Sequence, residues 1–164
     1  MQGSVINWMS RWDFISPRRR LEWYPPFWWM RIRVLELDEH WDRVRILLPL
    51  NWLSANAAGN MFGGYQACLA DPVPALACLH KFPGHRIATR ALELDFFRVG
   101  STDLTLHFDF PADLEQDIRD QLEKSGRATP TFEMRYVRAD GEACTRIRNT
   151  VAIRPKGWKG EEPA

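Results

Sequence analysis

What this sequence lacks narrows its reading first. No apolar run reaches the roughly 18 residues of a membrane-spanning helix, because charges or prolines interrupt each one. No basic stretch followed by an apolar one opens the chain, so no signal peptide is expected. Net charge is nearly absent: 22 Lys and Arg stand against 21 Asp and Glu. No overall field therefore draws the protein to nucleic acid or to an acidic membrane, and neither partner is expected. The three cysteines, Cys68, Cys78 and Cys144, form no CxxC pair. Cys68 and Cys78 lie in an apolar run, where a reduced thiol behaves as a small hydrophobe, and a cytoplasmic address is expected. His40, His80, His85 and His107 show no metal-ligand spacing and join no motif with Ser and Asp, so no metal is expected. There is no G-x-S-x-G of a serine hydrolase, and no Lys follows the paired glycines as it would in a P-loop.

What is present builds one domain. Apolar residues make up 45% of the 164 positions, enough for an ordinary core. Tryptophans gather early: Trp8, Trp12, Trp23, Trp28 and Trp29 are five of the eight, with Arg18, Arg19 and Arg20 among them. Val5, Trp8, Trp12 and Ile15 recur at helical spacing before Pro17. Such a helix either touches a membrane or partner or lies over its own domain, and its shortness and Asp13 favour the second. Residues 1–24 are read as this segment, 25–155 as the regular domain opening at Pro25-Pro26, and 156–164 as a loose polar tail.

Within the domain the period changes to two. Ile32 and Val34, then Val44, Ile46 and Leu48, alternate with arginines and predict a hairpin around Asp38 to Asp42. Leu69, Val73, Leu76, Ala77 and His80 predict the longest helix, ending near Pro83-Gly84. Leu92, Leu94 and Phe96, followed by Leu104, Leu106, Phe108 and Phe110, predict a second hairpin turning at Gly100-Ser101. A short helix carries Leu114, Ile118 and Leu122 to Gly126. Two last strands, with Phe132, Met134 and Tyr136 and then Ile147, Val151 and Ile153 facing inward, turn at Asp140-Gly141. The fold class is α+β: an antiparallel sheet of about six strands wrapped around one long helix.

One stretch invites chemistry, Asn56-Ala57-Ala58-Gly59-Asn60-Met61-Phe62-Gly63-Gly64, running into Leu69-Ala70-Asp71-Pro72. A helix start offers unpaired N–H groups and the positive end of the macrodipole, and glycines let a ligand approach them. A thioester carbonyl placed there would have its developing oxyanion stabilised, with Asp71 as base or nucleophile. The residues alone equally allow a turn device at Gly63-Gly64 and a new helical segment opened by Pro72.

That loop resembles the N-x-x-G-x-x-H-G-G loop of hotdog-fold acyl-CoA thioesterases of the phenylacetyl-CoA thioesterase type, and Leu69-Ala70-Asp71 resembles their L-A-D segment. The likeness runs over about Pro25 to Pro155. It is closest to a bacterial branch with a P-P-F opening, here Pro25-Pro26-Phe27, and an F-G-G loop. By position it implies that Gly64 polarises the thioester carbonyl, Asn56 orients carbonyl or water, and Asp71 is the catalytic carboxylate. Gly63, Phe62 and Asn60 would line the substrate site. Phe62 departs from the pattern, standing where many relatives have histidine. The implied function is hydrolysis of acyl-CoA or acyl-carrier-protein thioesters, with no cofactor beyond the substrate's coenzyme A. The alternative is a non-catalytic hotdog domain that binds acyl thioesters or acts as a scaffold; a hydratase ranks third, since that reaction usually wants a positioned histidine. Arg86, Arg90, Arg146 and Arg148 could meet the phosphates of coenzyme A, but arginines on a strand's solvent side are usually a solvated face. The resemblance also implies a homodimer or dimer of dimers with sites at the interface. Spacing agrees: seven residues of helix put Asp71 and Gly64 on one face but about 10 Å apart along the axis, so one chain's Asp71 would serve the other's Gly64.

Overall fold

The computed structural model describes residues 16–158, and the helix expected over Val5 to Ile15 lies outside them. Two short helices lead into the sheet. Helix α1 (Pro17–Trp23) is capped by the Ser16 hydroxyl, and α2 (Pro25–Met30) begins on Pro25-Pro26. Proline suits a first helical turn because the N–H it lacks has no partner there. Leu21, Phe27 and Met30 are buried, and the Glu22 carboxylate accepts the Val34 N–H at 2.8 Å. Residues 17–23 thus lie on the domain's own surface.

Strands β1 (Arg33–Leu37) and β2 (Arg43–Leu48) pair as the expected hairpin. Asp38 closes it, its carboxylate accepting the N–H groups of His40, Asp42 and Arg43. The long central helix expected from the sequence runs in two segments, α3 (Gly63–Ala70) and α4 (Pro72–Lys81), joined at Asp71, which keeps helical dihedrals, with Pro72 in the first turn of the second segment. Then come β3 (His85–Asp95), β4 (Leu104–Asp109), α5 (Ala112–Ser125), β5 (Thr131–Arg138) and β6 (Ala143–Pro155). Helix α5 ends at Gly126, whose φ of 70° is the left-handed conformation that glycine adopts without strain.

The sheet is antiparallel throughout, in the order β1-β2-β4-β5-β6-β3. This corrects the second hairpin: β3 pairs along its length with β6, while β4 lies between β2 and β5. Phe96 falls beyond the end of β3 and is exposed. The register slips between Thr89 and Ala91. That bulge shifts the inward positions from Ile87 and Thr89 to Leu92 and Leu94, which hides the strand's first half from an alternation count. The β5–β6 hairpin turns at Asp140-Gly141 as expected.

The inward residues of the sheet, among them Ile46, Leu104, Leu106, Phe108, Phe132, Tyr136, Ile147 and Ile153, are fully buried around Leu69, Val73 and Ala77 of the central helix. At this core's edge Phe108, Phe110 and Phe132 meet edge to face, with ring centroids 4.9 to 6.1 Å apart. Among the described residues no helix is long and apolar enough to cross a membrane.

Candidate active site

The loop before the helix is organised by its own asparagines. Asn56 Oδ1 accepts the N–H groups of Ala58 at 2.9 Å and Asn60 at 3.1 Å, and the Asn56 N–H donates to Asn60 O at 2.7 Å. Gly59 makes this tight loop possible with a φ of 78°. Because Oδ1 is spent on the loop, the side chain's remaining polar group is the Nδ2 donor, which suits a carbonyl rather than a water that must be deprotonated. Asn60 Nδ2 donates to Ala58 O, while the Met61 and Phe62 N–H groups donate to Gly100 O and Ser54 O, which fixes the angle at which the chain enters α3.

Phe62 is the N-cap of α3, and its side chain makes no capping hydrogen bond. The Tyr65 and Gln66 N–H groups reach back to Phe62 O, whereas those of Gly63 and Gly64 meet no protein acceptor among the described residues. Packing explains both glycines. A Cβ on Gly64 would overlap the Phe62 ring, and one on Gly63 would come within 3.0 Å of the Phe96 ring. Two exposed phenyl groups therefore lean over a helix start whose first amides are unpaired.

Asp71 sits at the junction of α3 and α4 with an exposed side chain. Two prolines make this junction. Pro72 and Pro74 bring no N–H to the helix, so the carbonyls of Cys68 and Ala70 lose their helical donors. Across the interior, Asn149 Nδ2 donates to Ala70 O at 3.3 Å and to Asp71 O at 2.9 Å, and the Thr89 hydroxyl donates to Asp71 O at 3.0 Å. Gly64, Cys68 and Asp71 follow one another along a single face of α3, and Cys68 and Asp71 are exposed there. Cys68 therefore departs from the expected buried hydrophobe, while Cys78 fits it: burial pushes the Cys78 thiol up to about 12 and raises that of Cys144.

A cleft of about 390 Å³ opens beside the helix start, lined by Asn56, Asn60, Gly63, Gln66, Phe96 and Phe97 with their neighbours. The structure thus gathers Asn56, Asn60 and Gly63 at one cleft, sets Phe62 and Gly64 at its helix end, and leaves Asp71 off its lining.

A family model described as "Domain of unknown function (DUF4442)" matches residues 19–153. The chain belongs to the DUF4442 family. No curated protein matches it in sequence. Solved structures match this DUF4442 chain in fold. A Pseudomonas aeruginosa protein of unknown function, called a probable thioesterase, superposes with a TM-score of 0.74 at 20% identity, covering 84% of this chain and 93% of its own. A Haemophilus influenzae thioesterase gives 0.68 at 15%, covering 90% and 96%. A mutant thioesterase of Staphylococcus aureus gives 0.60 at 14%, covering 77% and 95%. The α+β sheet around the α3–α4 helix is the hotdog fold.

Within this fold lies a buried polar row that was not expected from the sequence. Gln66 is 2% exposed, its backbone carbonyl accepts the Tyr136 hydroxyl at 2.8 Å, and its Oε1 accepts the Thr145 hydroxyl at 2.6 Å. Burial pushes the Tyr136 phenol well above its ordinary range, so it stays a donor. Thr145 and Asn149 occupy inward positions of β6, whose other inward members are apolar. That break in alternation was the available signal. A polar side chain is tolerated inside only with a partner, and the partners here are the backbone and side chain of the central helix.

Proposed function

We propose that this chain hydrolyses acyl thioesters of coenzyme A or of acyl-carrier protein, as a homodimer with two shared sites. The observation that carries this reading is the start of α3, where Gly63 and Gly64 amides without an acceptor among the described residues meet a cleft that Gly63 and Asn56 line. The thioester carbonyl oxygen takes hydrogen bonds from the Gly64 N–H and from Asn56 Nδ2. Asp71 of the partner subunit accepts a proton from water, and the hydroxide adds to the carbonyl carbon. The tetrahedral oxyanion is held by the same donors, each worth about 3 to 4 kcal/mol in favourable geometry. Its collapse breaks the C–S bond, and the proton on Asp71 passes to the departing thiolate, giving a carboxylic acid and a free thiol. No metal or cofactor enters this scheme.

Two features support the dimer. β3 is an edge strand of 11 residues with an open side, a natural template for a second copy. Phe62, Phe96, Phe97 and Val99, all exposed, cluster at the same end as the cleft and would be covered by a partner. The thioesterase names of the structural neighbours favour this chemistry, and the reduced cysteines fit a cytoplasmic setting.

The test incubates the dimer with acyl-CoAs of graded chain length and with aromatic acyl-CoAs, detecting released thiol. It uses Cys68→Ser protein, because Cys68 is exposed and would itself react with the thiol reagent. Thiol release that disappears in Asp71→Asn is the expected result. No release from any substrate, with acyl-CoA still raising the melting temperature, would make the protein a binding module instead.

A further inference from the structure

We infer that Asn149 of β6 is a positioning residue for Asp71, an inference that rests on the hydrolase reading above. Asn149 is fully buried, on the inward face of a strand whose neighbouring inward positions are Ile147, Val151 and Ile153. In register it lies opposite Leu92 of β3 and Phe132 of β5. An aliphatic side chain would suit such a place better. The amide is also incompletely used there: Asn149 Oδ1 is buried and accepts no hydrogen bond among the described residues. What an amide supplies that an aliphatic cannot is its donor end.

Nδ2 reaches Ala70 O at 3.3 Å and Asp71 O at 2.9 Å, the carbonyl deprived of its donor by Pro74 and the carbonyl of the proposed base itself. The Thr89 hydroxyl joins it on Asp71 O, from beside the bulge in β3. A helix interrupted by two prolines would otherwise pivot at Asp71, because the missing bonds remove the restraint that continuous helix imposes. Tying both carbonyls to the sheet sets the direction in which the Asp71 Cα–Cβ bond leaves the helix. A base must stand within about 3 Å of its water, so a small rotation at this joint moves the carboxylate out of reach. Asn149 touches neither substrate nor water; it acts through the Asp71 backbone.

The experiment compares wild type, Asp71→Asn and Asn149→Leu dimers, matched for folded content by calorimetry, across pH on the best acyl-CoA. The expected result for Asn149→Leu is a fall in kcat of about 10²-fold, the scale of a misplaced catalytic group. KM stays unchanged, and the acid limb of kcat/KM moves because the carboxylate has a new environment. A residue that merely filled the core would lower the melting temperature and leave kcat and the acid limb where they were, which would overturn the inference. Should Asn149→Leu fail to fold, Asn149→Ser reads the same two quantities with a smaller change of shape, and unaltered values there overturn it equally. Wild type inactive on every thioester defeats the hydrolase reading and this inference with it. A wild type silenced by Asp71→Asn beside an unaffected Asn149 variant defeats this inference alone.

Discussion

The two ends of the central helix differ in how completely their polar groups are paired. At the C-terminal end of α4, Lys81 is nearly enclosed and its Nζ contacts Asp42 Oδ1 at 2.5 Å and Glu115 Oε2 at 2.6 Å. Arg119 completes the cluster on Glu115, and the Lys81 cation also stands 4.9 Å from the centre of the Phe110 ring. A cation at a helix C-terminus is doubly favoured, by the carboxylates and by the helix dipole. At the N-terminal end of α3 the cap is a phenylalanine, two amides meet no protein acceptor among the described residues, and exposed rings surround a cleft. The paired end closes the fold by tying α4 to the β1–β2 turn and to α5. The unpaired end is disposed to take a ligand, because donors without partners cost stability unless something else binds them.

This contrast predicts that substitutions at the two ends fail in different ways. The largest effect belongs to Asp71→Asn, expected to lower kcat by about 10²- to 10⁴-fold, the range of a lost general base, with the melting temperature nearly unchanged. Parallel steady-state kinetics and calorimetry read it. Lys81→Ala reverses the pattern: Glu115 keeps Arg119 and Asp42 is half exposed, so losing the shared cation should cost about 1 to 2 kcal/mol in denaturant unfolding, while kcat per folded chain holds.

Glu115 sharpens the comparison through pH. Burial alone would raise its carboxyl, yet hydrogen bonds from Lys81 and Arg119 outweigh burial and hold it below the ordinary carboxylate value. Its share of stability is therefore present above the unfolded carboxylate pKa and is lost as pH falls through the lowered folded value. For Lys81, burial would lower the ammonium, but its two carboxylate partners outweigh this and raise it, so its share fades only at strongly alkaline pH. The gap in melting temperature between wild type and Glu115→Gln should be widest near neutrality and close as pH drops below about 4. The smallest effect is expected at Trp52, which is 80% exposed. Trp52→Ser should change unfolding free energy by less than about 0.5 kcal/mol and leave turnover alone.

The same contrast separates what could be read from the sequence from what could not. The β1–β2 and β5–β6 hairpins were legible because each joins a run of alternating residues to a local turn, at Asp38 and at Asp140-Gly141, and each register shift falls close to the turn or the strand end. The partner of β3 was not legible. The β3–β6 pairing is long-range, and the bulge at Arg90 shifts the inward positions midway along the strand. The loop asparagines and Gly63-Gly64 stood out as a motif, whereas the reason for the glycines, the Phe62 and Phe96 rings above them, is tertiary. Asn149 and Gln66 stayed hidden because a buried amide looks like any surface amide until the fold sets the strand carrying the one against the helix carrying the other.

The direct test of a site shared between protomers is a hybrid dimer. Asp71→Asn chains and Gly64→Pro chains are each expected to be inactive, the second because proline removes the Gly64 N–H and its ring pushes the Phe62 side chain aside at the helix start. Unfolded, mixed and refolded together, they should form hybrids in which one of the two sites keeps both Gly64 and the partner subunit's Asp71. The account predicts that activity returns in the mixture, at up to half the wild-type rate per hybrid dimer. Correctly folded hybrids that stay silent would contradict it, placing Asp71 and Gly64 at work within one chain.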